Sequence, residues 1–333
     1  MSCRHEPGQK PPGNNDIGVL LLNMGGPDSL EAVRPFLFNL FSDRKIIKLG
    51  PSFLQRPIAW IIARKRAPKS ASNYAKIGGK SPLLEITTGQ AKALEARLNE
   101  GSSSESYVCE PAMRYWYPRT PDQLKAMKRE GIKRVIGLSM YPHYSLATGG
   151  SSIEEFRQEA VRLELDHRVI DSYPDHPLYV RALESAVREG MKKIRDKDNF
   201  VLVYSAHSLP RSMVEQGDPY VDHLKRTISS LEGLTGIKGR LCYQSRSGPV
   251  EWLEPATDEM LLDLASQGIR EILCLPISFV SDHIETLFEI DILYGDMMRE
   301  KGVSLVRAPS LNYSPLFIQA LYELVLSSWT GQS

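Results

Sequence analysis

The amino-acid sequence predicts an α/β protein built as two similar Rossmann-like lobes, each a parallel β-sheet flanked by helices, facing each other across a cleft. Two observations predict it. Short apolar runs alternate with amphipathic segments along most of the chain, joined by short loops, which is the grammar of parallel sheets covered by helices on both sides. The order also repeats: Gly131-Ile132-Lys133-Arg134-Val135-Ile136 and Gly268-Ile269-Arg270-Glu271-Ile272-Leu273 each follow an amphipathic helix and precede a loop with proline. With fewer matches, residues 21–27 can be laid over 204–210, which sets Met24 opposite His207 in matching turns.

A chain of 333 residues suits two domains of ordinary size. Its 42% hydrophobic and 24% charged content are globular values. Forty-one basic side chains against 40 acidic ones exclude any global pull toward nucleic acid or anionic lipid, so an electrostatic function must be local. Cys3, Cys109, Cys242 and Cys274 lie far apart with no CxxC pairing, which reads as reduced, buried thiols and not as a metal site.

Residues 1–16, polar and rich in Pro and Gly, read as a disordered tail and not as a signal or transit peptide. The first lobe is expected over 17–172 with 312–330, and the second over 173–311. Residues 17–22 form an apolar run of the kind found in buried parallel strands. The turn Asn23-Met24-Gly25-Gly26-Pro27 follows, then a helix from Asp28 or Ser29, both good caps. That turn lacks GxGxxG spacing, which excludes a dinucleotide site.

Residues 36–69 alternate apolar and basic, and a Trp60-containing helix ends in Arg64-Lys65-Arg66. This stretch is either core packing with a solvated end, or an exposed lip (about 50–66) that dips into a membrane interface or grips an apolar anion. Helices are expected over 83–98, 121–130, 151–163 and from 220, 256 and 315. Strands are expected over 107–113, 134–140, 168–170, 200–205, 239–243 and 271–275. The passage through Pro174 and Pro177 is a candidate hinge, and the last helix is expected to cross back onto the first lobe.

The chemistry concentrates at two strand ends. Ser281-Asp282-His283-Ile284-Glu285-Thr286-Leu287-Phe288-Glu289 follows an apolar strand at its carboxyl end, where open α/β sheets carry ligands. Wound at about 100° per residue, Asp282, Glu285, Glu289 and Asp296 fall within an arc of roughly 60° and make one acidic stripe. At the other strand end, Ser205-Ala206-His207-Ser208-Leu209-Pro210 presents an imidazole. Imidazole and carboxylates without thiolate suit a borderline divalent metal held loosely, and proton abstraction near neutral pH.

These residues carry a resemblance. The turn at 22–27, Tyr74-Ala75-Lys76-Ile77-Gly78-Gly79-Lys80-Ser81-Pro82, Met113-Arg114-Tyr115 and Tyr141-Pro142-His143-Tyr144-Ser145 are similar to the ferrochelatase family, whose members insert ferrous iron into protoporphyrin to make haem. So are the 205–210 run, 243–249 with Trp252-Leu253, and 281–287, so the likeness spans nearly the whole ordered chain.

The resemblance implies a chelatase-like fold, with His207 and Glu285 facing each other across the metal position. It matches Asp282, His283 and Glu289 to the neighbouring polar positions, which with Asp296 of the stripe are expected to form a proton or metal relay, and allows an extra-residue bulge in that helix that would shift the stripe. It implies porphyrin contacts at Met24, Arg66, Tyr74, Ser81, Arg114, Tyr115, Ser245 and Trp252, with Arg66 pairing a propionate.

The substrates implied are protoporphyrin IX and Fe²⁺, with no tightly bound cofactor and no nucleic-acid partner. No [2Fe–2S] cluster is expected, since no cysteine follows Cys274. The lip resembles the protoporphyrin branch more than the coproporphyrin branch. A bacterial cytoplasmic enzyme is expected, resting on membrane lipid through Phe53, Leu54, Ile58, Trp60 and Ile61. Two rivals stand beside this: a cobalt or nickel chelatase of the same fold, and a non-catalytic haem or metal-binding protein, which leaves the acidic stripe without a task.

Overall fold

A computed structural model describes residues 16–100, 105–246, 248 and 250–330. Two four-stranded parallel sheets share one strand order. In the first, β1 (Ile17–Asn23) lies between β2 (Tyr107–Met113) and β3 (Arg134–Ser139), with β4 (Asp166–Ile170) outside β3. In the second, β5 (Phe200–His207) lies between β6 (Gly239–Gln244) and β7 (Glu271–Pro276), with β8 (Ser304–Arg307) outside β7. The helices are α1 (Val33–Ser42), α2 (Gln55–Ala75), α3 (Leu83–Asn99), α4 (Thr120–Arg129), α5 (Ser151–Arg162), α6 (Pro177–Met191), α7 (Arg211–Glu215), α8 (Tyr220–Thr235), α9 (Thr257–Ser266), α10 (Gly295–Glu300) and α11 (Pro315–Thr330).

The strand register states the repeat in residues. Ile17 pairs with Arg134, and Phe200 pairs with Glu271. Ile17 thus corresponds to Phe200, and counting forward along both chains puts Met24 on His207. Gly131 and Gly268, which end the preceding helices, share a left-handed backbone with φ of +89° and +87°. Glycine adopts it without the penalty that a Cβ brings.

β1 is buried on both faces, which is why it reads as a continuous apolar run and not as alternation. Ile17, Val19 and Leu21 join Leu202, Tyr204 and Ala206 of β5 in one core, filled from α3, α6, α8 and α11. Leu20 and Leu22 face a separate core with Leu124, Met127, Ile153 and Phe156. Val203 and Cys242 face a third with Leu261, Leu264 and Met298. The inner faces of the two sheets therefore share a core, and each outer face has its own.

Helix α11 packs on α3, β4 and α6, while α6 also packs on α8 and β7. Side chains cross between lobes in both directions. Gln90 of α3 donates its amide to Ser281 Oγ at 3.1 Å and to the Asn312 carbonyl at 2.8 Å. Thr227 of α8 bonds to His143 Nε2 at 2.8 Å, in the loop after β3.

Several expectations need correction. The proposed tail at 1–15 lies outside the described residues, but Asp16 is buried and accepts a hydrogen bond from Ser106, so it belongs to the fold. The first helix begins at Val33; Ser29 instead accepts from the Ala32 N–H within the preceding turn. β8 was not anticipated because its four residues are half-buried and carry polar ends. The acidic segment departs furthest: residues Glu285–Tyr294 wind as a π-helix before α10 begins. A π-turn holds more residues than an α-turn, so a projection at 100° per residue cannot place its side chains.

Candidate active site

The site forms where the carboxyl ends of β1, β3, β5 and β7 meet. His207 is the last residue of β5 and is half-buried. Directly opposite it in register is Gln244, the last residue of β6. The Gln244 amide donates to the Glu285 carbonyl at 2.9 Å and to the Glu289 carboxylate at 3.0 Å, and its own oxygen accepts from Ser205 at 2.7 Å. One buried amide thus bolts the π-turn alongside His207.

Glu285 stands among groups from both lobes. His283 Nε2 lies 3.3 Å from its carboxylate, within ion-pair distance but not aligned as a hydrogen bond. Burial holds the His207 imidazole below the usual histidine range, with Glu285 pulling it upward and His283 pushing it down. Burial also lowers His283, again opposed by Glu285. Both rings are therefore neutral at pH 7. Across the gap, burial and then the Glu285 charge raise the phenols of Tyr74 and Tyr141. Phe279 sits edge-on to both imidazoles, at 6.1 Å from His207 and 4.1 Å from His283 between ring centres.

His207 Nδ1, both nitrogens of His283 and Trp252 Nε1 are buried without a hydrogen-bond partner. Buried polar atoms are ordinarily paired, so an orphaned cluster at strand ends points to a missing ligand. Glu289 accepts from Ser245 Oγ at 2.6 Å and from Gln244, yet burial, aided by Glu285, lifts its carboxyl to about 7. It can therefore carry a proton at neutral pH.

The other expected residues divide. Met24 and Tyr74 pack with Tyr115, Val33, Phe36, Leu37 and Ile284 in a cluster that joins α1 and α2 to the π-turn. Gly25 takes a φ of +81°, and a Cβ on Gly26 would fall 2.4 Å from Ser81 Oγ, so the two glycines let Ser81 lie against this turn. Trp252 forms a bridge with Pro210, beside the His207 loop.

Arg114 and Tyr115, expected to line a macrocycle, both bond to Asp43. Arg114 donates to Asp43 at 2.9 Å, Glu155 at 2.6 Å and Ser151 at 2.8 Å, and the Tyr115 hydroxyl donates to Asp43 at 2.9 Å. Arg66 is exposed, stacks over the Phe41 ring at 5.3 Å, and forms no ion pair among the described residues.

The stripe does not persist. Asp282 is held by Arg307 at 2.9 Å, Ser310 at 2.7 Å and Asn312 at 2.8 Å. Asp296 is on the surface, paired with Arg299 at 2.7 Å. Of the four acidic residues, Glu285 and Glu289 are the two joined through the Gln244 amide, while Asp282 and Asp296 are paired with arginines. Tyr141 and Gln244 lie in stretches that carry the resemblance but take no role from it, and Phe279 and Asp43 take none either. An open groove lined by Asp122, Lys125, Lys128, Arg129 and Leu163 involves none of these residues.

The ferrochelatase family model matches residues 16–328. A ferrochelatase of Geotalea daltonii is 54% identical over 313 residues, covering 93% of this chain and 97% of that one. A ferrochelatase of Desulfotalea psychrophila is 49% identical over 318 residues, covering 95% and 98%. Among solved structures, SirB from Bacillus subtilis with Fe³⁺ matches with a TM-score of 0.55 at 10% identity, covering 96% and 98%. CbiX, described as the terminal enzyme for biosynthesis of sirohaem in denitrifying bacteria, matches at 0.53 and 10%, covering 94% and 99%. The two structures share the two-lobed fold alone, whereas the family match and near-full-length relatives of about half identity show that the chain belongs to the ferrochelatase family.

Proposed function

We propose that the porphyrin is protoporphyrin IX and the metal Fe²⁺, so that insertion releases two N–H protons and yields protohaem. Family membership makes the chain an enzyme that inserts a metal ion into a porphyrin. The observation that carries the mechanism is a neutral, part-buried imidazole with an unpartnered nitrogen at His207, in the field of Glu285. His207 takes the pyrrole protons, and His283, Glu285 and Glu289 relay them outward or hand in the metal.

No group of three or more His, Cys, Asp or Glu among the described residues is arranged to hold a metal ion. In this reading iron is a passing substrate that draws donors from the pyrrole nitrogens. The reading includes no iron–sulfur cluster.

The lip supports the substrate choice. Phe53, Leu54, Trp60 and Ile61 are exposed, with Arg34 and Arg64 stacked over Trp60 and Arg56 over Phe38. Residues 33–80 hold eleven basic side chains and one acidic, in a chain of net charge +1. The exposed apolar side chains suit the broader apolar edge of a porphyrin with two carboxylates, while the basic residues suit carboxylates in general. Loss of porphyrin fluorescence on anaerobic addition of Fe²⁺ is expected to be at least about tenfold faster for protoporphyrin than for coproporphyrin. Equal rates, or the reverse order, would overturn the choice.

The same lip supports peripheral attachment of a cytoplasmic protein to an anionic membrane; no helix of the described residues is long and apolar enough to cross one. Removing both exposed aromatics, as Phe53→Ser with Trp60→Ser, is expected to weaken partition onto anionic lipid vesicles by about tenfold or more. Unchanged cosedimentation would end that assignment.

A further inference from the structure

β7 stops supporting β5 just before the site. Its last paired residue, Pro276, lies opposite Ser205, and the final bond on that edge runs from the Ile277 N–H to the Ser205 carbonyl at 3.0 Å. In a strand, alternate residues turn their backbone groups to the same edge. His207 therefore presents its N–H and C=O where no strand continues. Left unpaired, those groups would cost stability and let the strand end drift.

Two hydroxyls replace the strand. The His207 N–H donates to Ser278 Oγ at 2.9 Å, and the Tyr220 hydroxyl donates to the His207 carbonyl at 2.9 Å. Ser278 and Tyr220 are both buried, so the two bonds are shielded from water. Ser278 follows β7, whereas Tyr220 opens α8.

Tyr220 is anchored in the other lobe. The Tyr220 N–H donates to Asp218 Oδ1 at 3.0 Å, and the buried Asp218 accepts through Oδ2 from Ser145 Oγ at 2.9 Å and the Leu146 N–H at 2.8 Å. Ser145 caps the π-helical turn Leu146–Gly150 of the first lobe.

We infer that Ser278 and Tyr220 are positioning residues for His207: two buried hydroxyls fix its main-chain N–H and C=O, and Asp218 ties the Tyr220 main chain to the opposite lobe. The inference rests on His207 acting as the base, because a main-chain clamp matters to rate only if the imidazole it aims takes part. Small displacements of a reacting group cost rate steeply, while the walls that bind a flat macrocycle lie elsewhere.

Ser278→Ala and Tyr220→Phe each delete one hydroxyl and keep the packing. With protoporphyrin and Fe²⁺ under anaerobic conditions, and rates referred to the folded fraction seen by circular dichroism, each is expected to lower kcat about tenfold with KM for porphyrin within about twofold. An unchanged kcat, or an effect on KM alone, would overturn the inference; should one variant not fold, the other decides. His207→Ala run in parallel keeps the two claims apart. An active His207→Ala removes the base itself, whereas an inactive one beside unaffected hydroxyl variants removes only the clamp.

Discussion

Replacing His207 with Ala is expected to slow metal insertion by about 10²- to 10⁴-fold while changing porphyrin affinity by less than about threefold. Two N–H protons must leave the macrocycle before four nitrogens can hold a divalent ion. The group that takes them has to be neutral beforehand, close to the ring and open to it. His207 meets the first condition because burial lowers its imidazole, and the last because the residue is only half-buried. His283 is the only other imidazole at this point, and it is more deeply buried and already against the Glu285 carboxylate. Removing the ring at 207 leaves the main-chain bonds to Ser278 and Tyr220 in place, so the fold should persist. Fluorescence-quenching titration would report binding, and anaerobic loss of porphyrin fluorescence would report insertion. An H207A variant within about threefold of the parent rate would remove the imidazole from the mechanism.

The sheets were legible in the sequence because strands buried on both faces leave unbroken apolar runs, and because Gly131 and Gly268 punctuate the two halves alike. His207 and Glu285 were legible because strand ends advertise position, and the family resemblance assigned them partners. What lay hidden depends on contacts distant in the chain. Asp282 looked like part of a stripe since its partner, Arg307, lies on a strand too short and polar to register. Arg114 and Tyr115 looked free to line a ligand since Asp43, which engages both, is some seventy positions away. Gln244 meets Glu285 and Glu289 only once β6 is paired beside β5. The π-helix escaped a fixed angular step for a local reason: its backbone bonds skip one residue further than the step assumes.

Glu285→Gln is expected to cut insertion by about 10²-fold or more and, in the same molecule, to move the titration of Glu289 downward. The second effect gives the first a physical signature. Burial chiefly, and the nearby Glu285 charge next, raise the Glu289 carboxyl from its ordinary 4.5 to about 7. The folded protein thus binds this proton more tightly than the unfolded chain does, so its contribution to stability is complete below pH 4.5 and is lost as pH rises toward 7. The loss is on the order of 3 kcal/mol by pH 8. A neutral amide at 285 removes the repulsion and leaves burial, so the window narrows and less stability is lost on the way to pH 8. Measured by denaturant midpoints, E285Q should gain on the parent between pH 5 and pH 8. Parallel pH dependences would show that the two carboxylates do not share a field, and the relay from Glu285 to Glu289 would fall with that result. Full insertion activity in E285Q would remove Glu285 from the chemistry altogether, because the substitution keeps the size and hydrogen-bonding reach of the side chain and deletes only its charge.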